Sequence, residues 1–180
     1  SDVYKRQILI LGMLKKKHLI LQIYKYSHRK ALIMIYIRYA NWLQDMKMIK
    51  HIRRTVFVNE QRVPEEIDFD GLDGSSTHWL AFDDSNIPIG TARMQKDGHF
   101  GRMAVLKHYR NNGVGKKIFE SALTYAVEKK FPKVWLHSQI TAVGFYKKFG
   151  FTEVGDMFLD AGIEHMLMTK ELFKLQKLRT

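Results

Sequence analysis

The chain has 180 residues, 46% of them hydrophobic and 27% charged, a mix that excludes wholesale disorder and suits one domain with an extension. It contains no cysteine, which rules out a disulfide scaffold, a Cys-based zinc site and a thiol nucleophile, and it suits a reducing compartment such as the cytoplasm. The net charge of +12 is unevenly spread: residues 1–33 carry +7 and residues 34–180 only +5, so the basic excess does not mark the main body as a nucleic-acid binder.

Residues 1–33 hold one apolar run, Ile8 to Leu14, followed by Lys15-Lys16-Lys17. A spanning helix needs about 20 apolar residues, so none is expected here. Lys5-Arg6 before a short apolar run imitates a signal peptide, but no small-x-small cleavage site follows. The segment is expected to be an extension outside the fold, with the functional domain over 34–180 beginning near Met34.

From Ile33 to Tyr39 the sequence is β-branched and aromatic and reads as a strand. Trp42 to about Asn59 reads as a helix capped by Asn41, with Leu43, Met46, Ile52 and Val56 near the 3.6-residue period. Residues 60–77 are polar and broken by Pro64, Gly71 and Gly74, so they read as a loop. Strands are expected at His78–Phe82, Ile87–Met94 and Phe100–Leu106, with turns at Asp83–Asn86 and Asp97-Gly98. The period then changes: Val114, Ile118, Ala122, Tyr125 and Ala126 share a helical face, and Phe131-Pro132 ends that helix. A strand at Lys133–His137, a short helix at Ala142–Lys148 stopped by Gly150, and strands at Phe151–Val154 and His165–Thr169 complete the pattern. The last two are joined by an excursion through Asp160-Ala161-Gly162. This order gives an α/β domain with a mixed, mostly antiparallel central sheet flanked by helices.

The most informative stretch is Arg110-Asn111-Asn112-Gly113-Val114-Gly115-Lys116, between a strand and a helix. Backbone N–H groups converge at such a turn, the helix N-terminus adds about half a positive charge, and glycines permit close approach, so an anionic phosphate fits there. It is neither a Walker A loop, because Gly113 and Gly115 are one residue apart, nor a three-glycine dinucleotide fingerprint. A plain strand-to-helix turn uses the same residues.

Arg110-x-x-Gly113-x-Gly115 resembles the acyl-CoA pyrophosphate loop of the GNAT N-acetyltransferase superfamily. Ala142 to Phe151, with its Phe145-Tyr146 and Gly150-Phe151 pairs, resembles the second motif of that family. Val56 to Gln61 with Pro64, Asp70-Gly71-Leu72-Asp73 and Gly162 to His165 resemble its YjcF/ElaA-like branch. The likeness spans about residues 34–172, departing at Asn111-Asn112 and Arg62. It implies transfer of an acetyl group from acetyl-CoA to a primary amine by direct attack in a ternary complex. The alternative is a non-catalytic acyl-CoA-binding module on the same fold. The backbone of Met103, Ala104 and Val105 would pair with the pantetheine arm, and amides from Arg110 through Asn111, Asn112, Gly113, Val114, Gly115 and Lys116 would cradle the pyrophosphate.

Tyr146 stands at the family position whose hydroxyl faces the thiol sulfur; its other reading is packing of the short helix. A phenol of pKa about 10 can donate to a departing thiolate. Glu60 and His165 are the candidates for the base. His78, His137 and His165 all fall in or beside strands, where a satisfied structural histidine is the common reading. Asp68-x-Asp70-Gly71-x-Asp73 lacks the spacing of a calcium loop, since Trp79 fills the twelfth position. The five carboxylates Glu65, Glu66, Asp68, Asp70 and Asp73 are expected to be solvated and, at most, to draw in a cationic amine. No HExxH spacing supports a metal hydrolase, and no metal is expected. The expected partner is a small-molecule or exposed amine acceptor, without nucleic acid or a membrane span; a homodimer is allowed.

Overall fold

A computed structural model describes residues 34–173. The expected extension at 1–33 lies outside the described residues.

Two antiparallel sheets carry the fold. The first has strands in sequence order: β1 (Tyr36–Ala40), β2 (Thr77–Phe82), β3 (Pro88–Met94) and β4 (Phe100–Val105). The second has the order β5 (Lys133–Gln139), β7 (Ile163–Glu171), β6 (Thr152–Asp160). They meet at one parallel bridge, His99 with Trp135, where the Trp135 N–H donates to Gly98 O at 3.1 Å. The mostly antiparallel sheet expected from the sequence is therefore present in two pieces joined at a root. Beyond that root β4 and β5 diverge.

Helix α1 (Trp42–Arg53) is capped by Asn41, whose side chain accepts from the Gln44 N–H. It runs on through Glu60 in a wider turn, with Gln61 N–H bonded to Val56 O at 3.1 Å. The expected continuous helix thus changes pitch, and this brings Phe57 and Gln61 to the cleft described below. Residues 60–77 are not all loop: α2 (Glu65–Asp68) and a tight turn at Asp73–Ser75 lie within them.

Strand alternation assigns the faces. Leu80, Phe82 and Ala104 pack with Ile49 and Ile52 of α1 and Val56 of its wider-turn continuation. The opposite face, with Trp79, Ala81 and Gly90, receives α3 (Val114–Glu128): Trp79 meets Tyr125 edge-on, and a Cβ on Gly90 would lie 3.0 Å from Ile118. Phe119 of α3 is fully buried at the centre of Phe100, Phe145, Tyr146, Phe149 and Phe151, so it ties α4 (Val143–Lys147) to both sheets.

The last two strands are longer than the sequence pattern suggests. β6 and β7 are nine residues each and pair from Thr152 with Thr169 to Asp160 with Ile163, and Ala161-Gly162, both at positive φ, make a tight reversal rather than an excursion. The alternation in β6 is broken by a register shift between Val154 and Phe158, where Gly155 has φ 71°, and this hid the second half of the strand.

Candidate functional site: a cleft and a helix mouth

Where β4 and β5 splay, a cleft of about 500 Å³ opens. Its walls include Phe57, Val63, Ile67 and Leu72 from the α1–β2 segment, Met103 from β4, and Tyr146 from α4. β4 is bulged: Thr91 pairs with Ala104, but Arg93 pairs with Gly101, leaving an extra residue. Arg102, in that bulge, has φ 53°, a left-handed conformation that side chains other than glycine rarely adopt. Its guanidinium is held by Ile67 O (2.9 Å), Asp68 O (3.1 Å) and Asp70 Oδ2 (3.0 Å).

The register of β4 decides which backbone groups are free. Leu106 N–H donates to Ile89 O at 2.9 Å, so that pair is hydrogen-bonded to β3. Alternation then commits Ala104 to β3 and turns the N–H of Val105 outward. The outward carbonyl of Val105 already accepts Arg110 Nε at 2.9 Å. Of the three residues expected to pair with a pantetheine arm, Ala104 is thus spent on β3, and Met103 and Val105 form the open edge.

The turn at 110–113 places α3. Gly113 is its N-cap at φ 84°, where a Cβ would be strained but would meet nothing within 4 Å. The first intrahelical donor is Lys117, to Gly113 O at 3.0 Å, so the amides of Val114, Gly115 and Lys116 precede the ladder and point out of the helix mouth. The Arg110 amide differs from expectation: it is taken by Lys107 O at 3.3 Å. Asn111, at φ 61°, and Asn112 complete the turn. A Cβ on Gly115 would sit 3.9 Å from Met103 and from Val105, so the helix mouth adjoins the open edge of β4, whose Met103 also faces the cleft.

Tyr146 is 7% exposed and its phenol is pushed up by burial, so it keeps its proton at neutral pH. Glu60 is elsewhere. Its two oxygens accept from Arg110 at 2.6 and 2.7 Å, the guanidinium holds its carboxyl below the usual range, and it is not part of the cleft wall. The structure therefore joins Glu60 to Arg110 of the turn before α3 and not to the cleft.

The histidines separate clearly. His78 is buried with Nε2 at 2.8 Å from Asp73 O and its ring stacked on Trp42, away from the cleft. His137 and His165 both line the cleft, and so does His99, which the sequence reading missed. His99 lies flat on Trp135 with centroids 3.9 Å apart, and burial with His137 nearby lowers it to about 4. His137 is lowered by burial, opposed by Asp160. His165 Nδ1 is 2.8 Å from Ile163 O; a carbonyl only accepts, so Nδ1 carries the hydrogen and Nε2 of the neutral ring keeps its lone pair.

The expectation of a solvated, cation-attracting acidic stretch is overturned. Asp68 and Asp73 are buried and bonded to Arg53, through Nε (3.0 Å) and Nη1 (2.6 Å); Arg53 Nη2 also donates to Asp68 O. Arg93 spans Asp70 and Asp73 at 2.7 and 3.0 Å. These carboxylates are neutralised by arginines from three other elements, which sequence spacing does not reveal. Glu65 is exposed and pairs with Arg54. Among the described residues, no group of three or more His, Asp or Glu is placed to hold a metal ion, and no helix is long and apolar enough to cross a membrane.

Comparison with known proteins agrees with this architecture. The acetyltransferase (GNAT) domain family model matches residues 43–172. A Bacillus subtilis (strain 168) protein with acetyltransferase in its name is 41% identical over 134 residues, 71% of this chain and 90% of that protein. The uncharacterized N-acetyltransferase YjcF of the same organism is 37% identical over 132 residues, covering 71% and 94%. The crystal structure of Escherichia coli ElaA superposes with a TM-score of 0.69 at 26% identity, covering 77% of this chain and all of that one.

Proposed function

The chain belongs to the GNAT acetyltransferase family and is an acyl-CoA-dependent N-acyltransferase, and from that premise we propose that it passes an acetyl group from acetyl-CoA to a primary amine within one ternary complex. One observation carries the reading: the open edge of β4 at Met103 and Val105 runs from the cleft holding Tyr146 to the unspent amides of α3. The residues fit the co-substrate. Three outward amides, a helix N-terminus without an acidic residue in its first turn, and Lys116 suit a pyrophosphate. Bound there, acetyl-CoA supplies an activated acyl group as a thioester.

The protein's own residues then have separate tasks. The outward N–H of Val105 donates to the carbonyl oxygen as charge builds on it. His165 Nε2, its tautomer set by Ile163 O, takes the proton of the incoming amine. Tyr146, kept protonated by burial, donates toward the departing sulfur. Glu60 steers Arg110 against the carbonyl of Val105 and so braces the turn.

The test is release of free thiol from acetyl-CoA across a panel of amines. Tyr146→Phe should lower kcat by about 10²-fold with acetyl-CoA affinity unchanged. Equal turnover removes the phenol as the acid. Tight binding of acetyl-CoA by calorimetry without thiol release for any amine would overturn the transfer reading.

A further inference from the structure

The charged groups of the cleft wall are Asp68, Asp70, Arg93, Arg102 and Asp160, with three histidines. Four of the five are committed. Arg93 holds Asp70 and Asp73, and Arg102 holds Asp70 and the carbonyls of Ile67 and Asp68. Asp68 accepts from Arg53. Asp160 differs: among the described residues no arginine or lysine pairs with it, and no hydrogen bond engages its carboxylate. It ends β6 at the tip of the β6–β7 hairpin, where its charge acts on His137 and where it lies opposite Ile163, two residues before His165.

The rest of the wall is apolar or neutral. Phe57, Val63, Ile67, Leu72, Phe100 and Ile163 supply the bulk. His99, on Trp135, and His137 are both lowered from their ordinary value by burial and are uncharged at neutral pH. Among the described residues no lysine lines the cleft, and both of its arginines are engaged. A carboxylate or phosphate on the acceptor would therefore find no free cation among the described residues of the wall. A polyamine would bring several charges to one free carboxylate.

We infer that the acceptor is a monoamine with an apolar body of about aromatic size and no anionic group, its ammonium received by Asp160 before the proton passes to His165. This rests on the transferase reading above and names its substrate class. A cleft of about 500 Å³ is ample for a phenyl ring and a two-carbon arm.

The experiment measures thiol release by the full chain with 2-phenylethylamine, L-phenylalanine and spermidine. Phenylalanine has the same body and amine plus a carboxylate; spermidine has extra cations and no apolar body. We expect kcat/KM for 2-phenylethylamine to exceed that for either by at least about 100-fold, since an unpaired buried charge costs several kcal/mol. Asp160→Asn should raise KM for 2-phenylethylamine by about 10- to 100-fold, leave KM for acetyl-CoA unchanged, and be partly rescued by Asp160→Glu. Phenylalanine or spermidine matching 2-phenylethylamine, or an unchanged KM in Asp160→Asn, would overturn the inference while leaving the transferase reading intact. Thiol release with none of the three but with another amine of the panel would overturn the inference alone, whereas no release with any amine, together with intact acetyl-CoA binding, would bring down the transferase reading and the inference with it.

Discussion

Two polar regions of this molecule treat their hydrogen-bonding groups in opposite ways. Around Arg53, Arg93 and Arg102 every guanidinium meets carboxylates or carbonyls of the 67–73 segment, and most of that network is buried. At the mouth of α3, the amides of Val114, Gly115 and Lys116 precede the helical ladder, and the N-cap Gly113 supplies no side-chain cap. The first region is finished by folding; the second is the one that the proposed function fills with a pyrophosphate. Polar groups whose partners lie within the chain build the protein, and those left without them mark where something else must bind.

Breaking the finished region should cost the most. Asp73→Ala removes the acceptor of Arg53 Nη1 and Arg93 Nη1 and leaves buried charge short of a partner. A loss of about 3–5 kcal/mol, or roughly 10 °C in Tm, is expected in thermal unfolding. The acetyl-CoA affinity of the protein still folded at low temperature should stay the same. A Tm shift under about 2 °C would show the network to be dispensable.

Gly113→Asp attacks the other region. A carboxylate enters beside the free amides, and the left-handed backbone costs about 1 kcal/mol. Calorimetry should show acetyl-CoA affinity falling about 100-fold with Tm lower by only a few degrees. Unchanged affinity would remove this turn from the site.

A smaller effect sharpens the contrast at the root between the sheets. His99 titrates near 6.5 in an unfolded chain and at about 4 in the fold. Between these values the unfolded chain binds more protons, so stability is full above pH 6.5 and falls as pH drops toward 4. His99→Phe keeps a ring against Trp135 and removes that titration. Urea unfolding at pH 7 and pH 4 should show the variant losing less stability than the parent, by about 2 kcal/mol. Equal losses would mean that His99 does not carry this dependence.

What the sequence revealed divides along similar lines. Strand, glycine turn and helix at 100–128 were legible because they are contiguous and each follows a local period. Gly113 could be placed at the start of that helix for the same reason, whereas the bond from the Arg110 amide to Lys107 O was not anticipated. The arginine network was not, because Arg53 and Asp73 lie twenty positions apart and Arg102 and Asp68 thirty-four. Its acidic half therefore read as a solvated, cation-attracting stretch. His99 was overlooked because its importance comes from Trp135 and His137 on a strand of the other sheet. The pairing of Glu60 with Arg110 was not foreseen, because the two lie fifty positions apart.

The single bridge at His99 and Trp135 also gives the molecule leverage. From His99 to Val105 the strand is about 20 Å long at roughly 3.3 Å per residue. A tilt of about 5° at the stacked rings would carry the far end through nearly 2 Å, the scale of a hydrogen bond made or lost. The flat contact of two rings at the root is thus the point from which the spacing of the cleft's two strand walls is set.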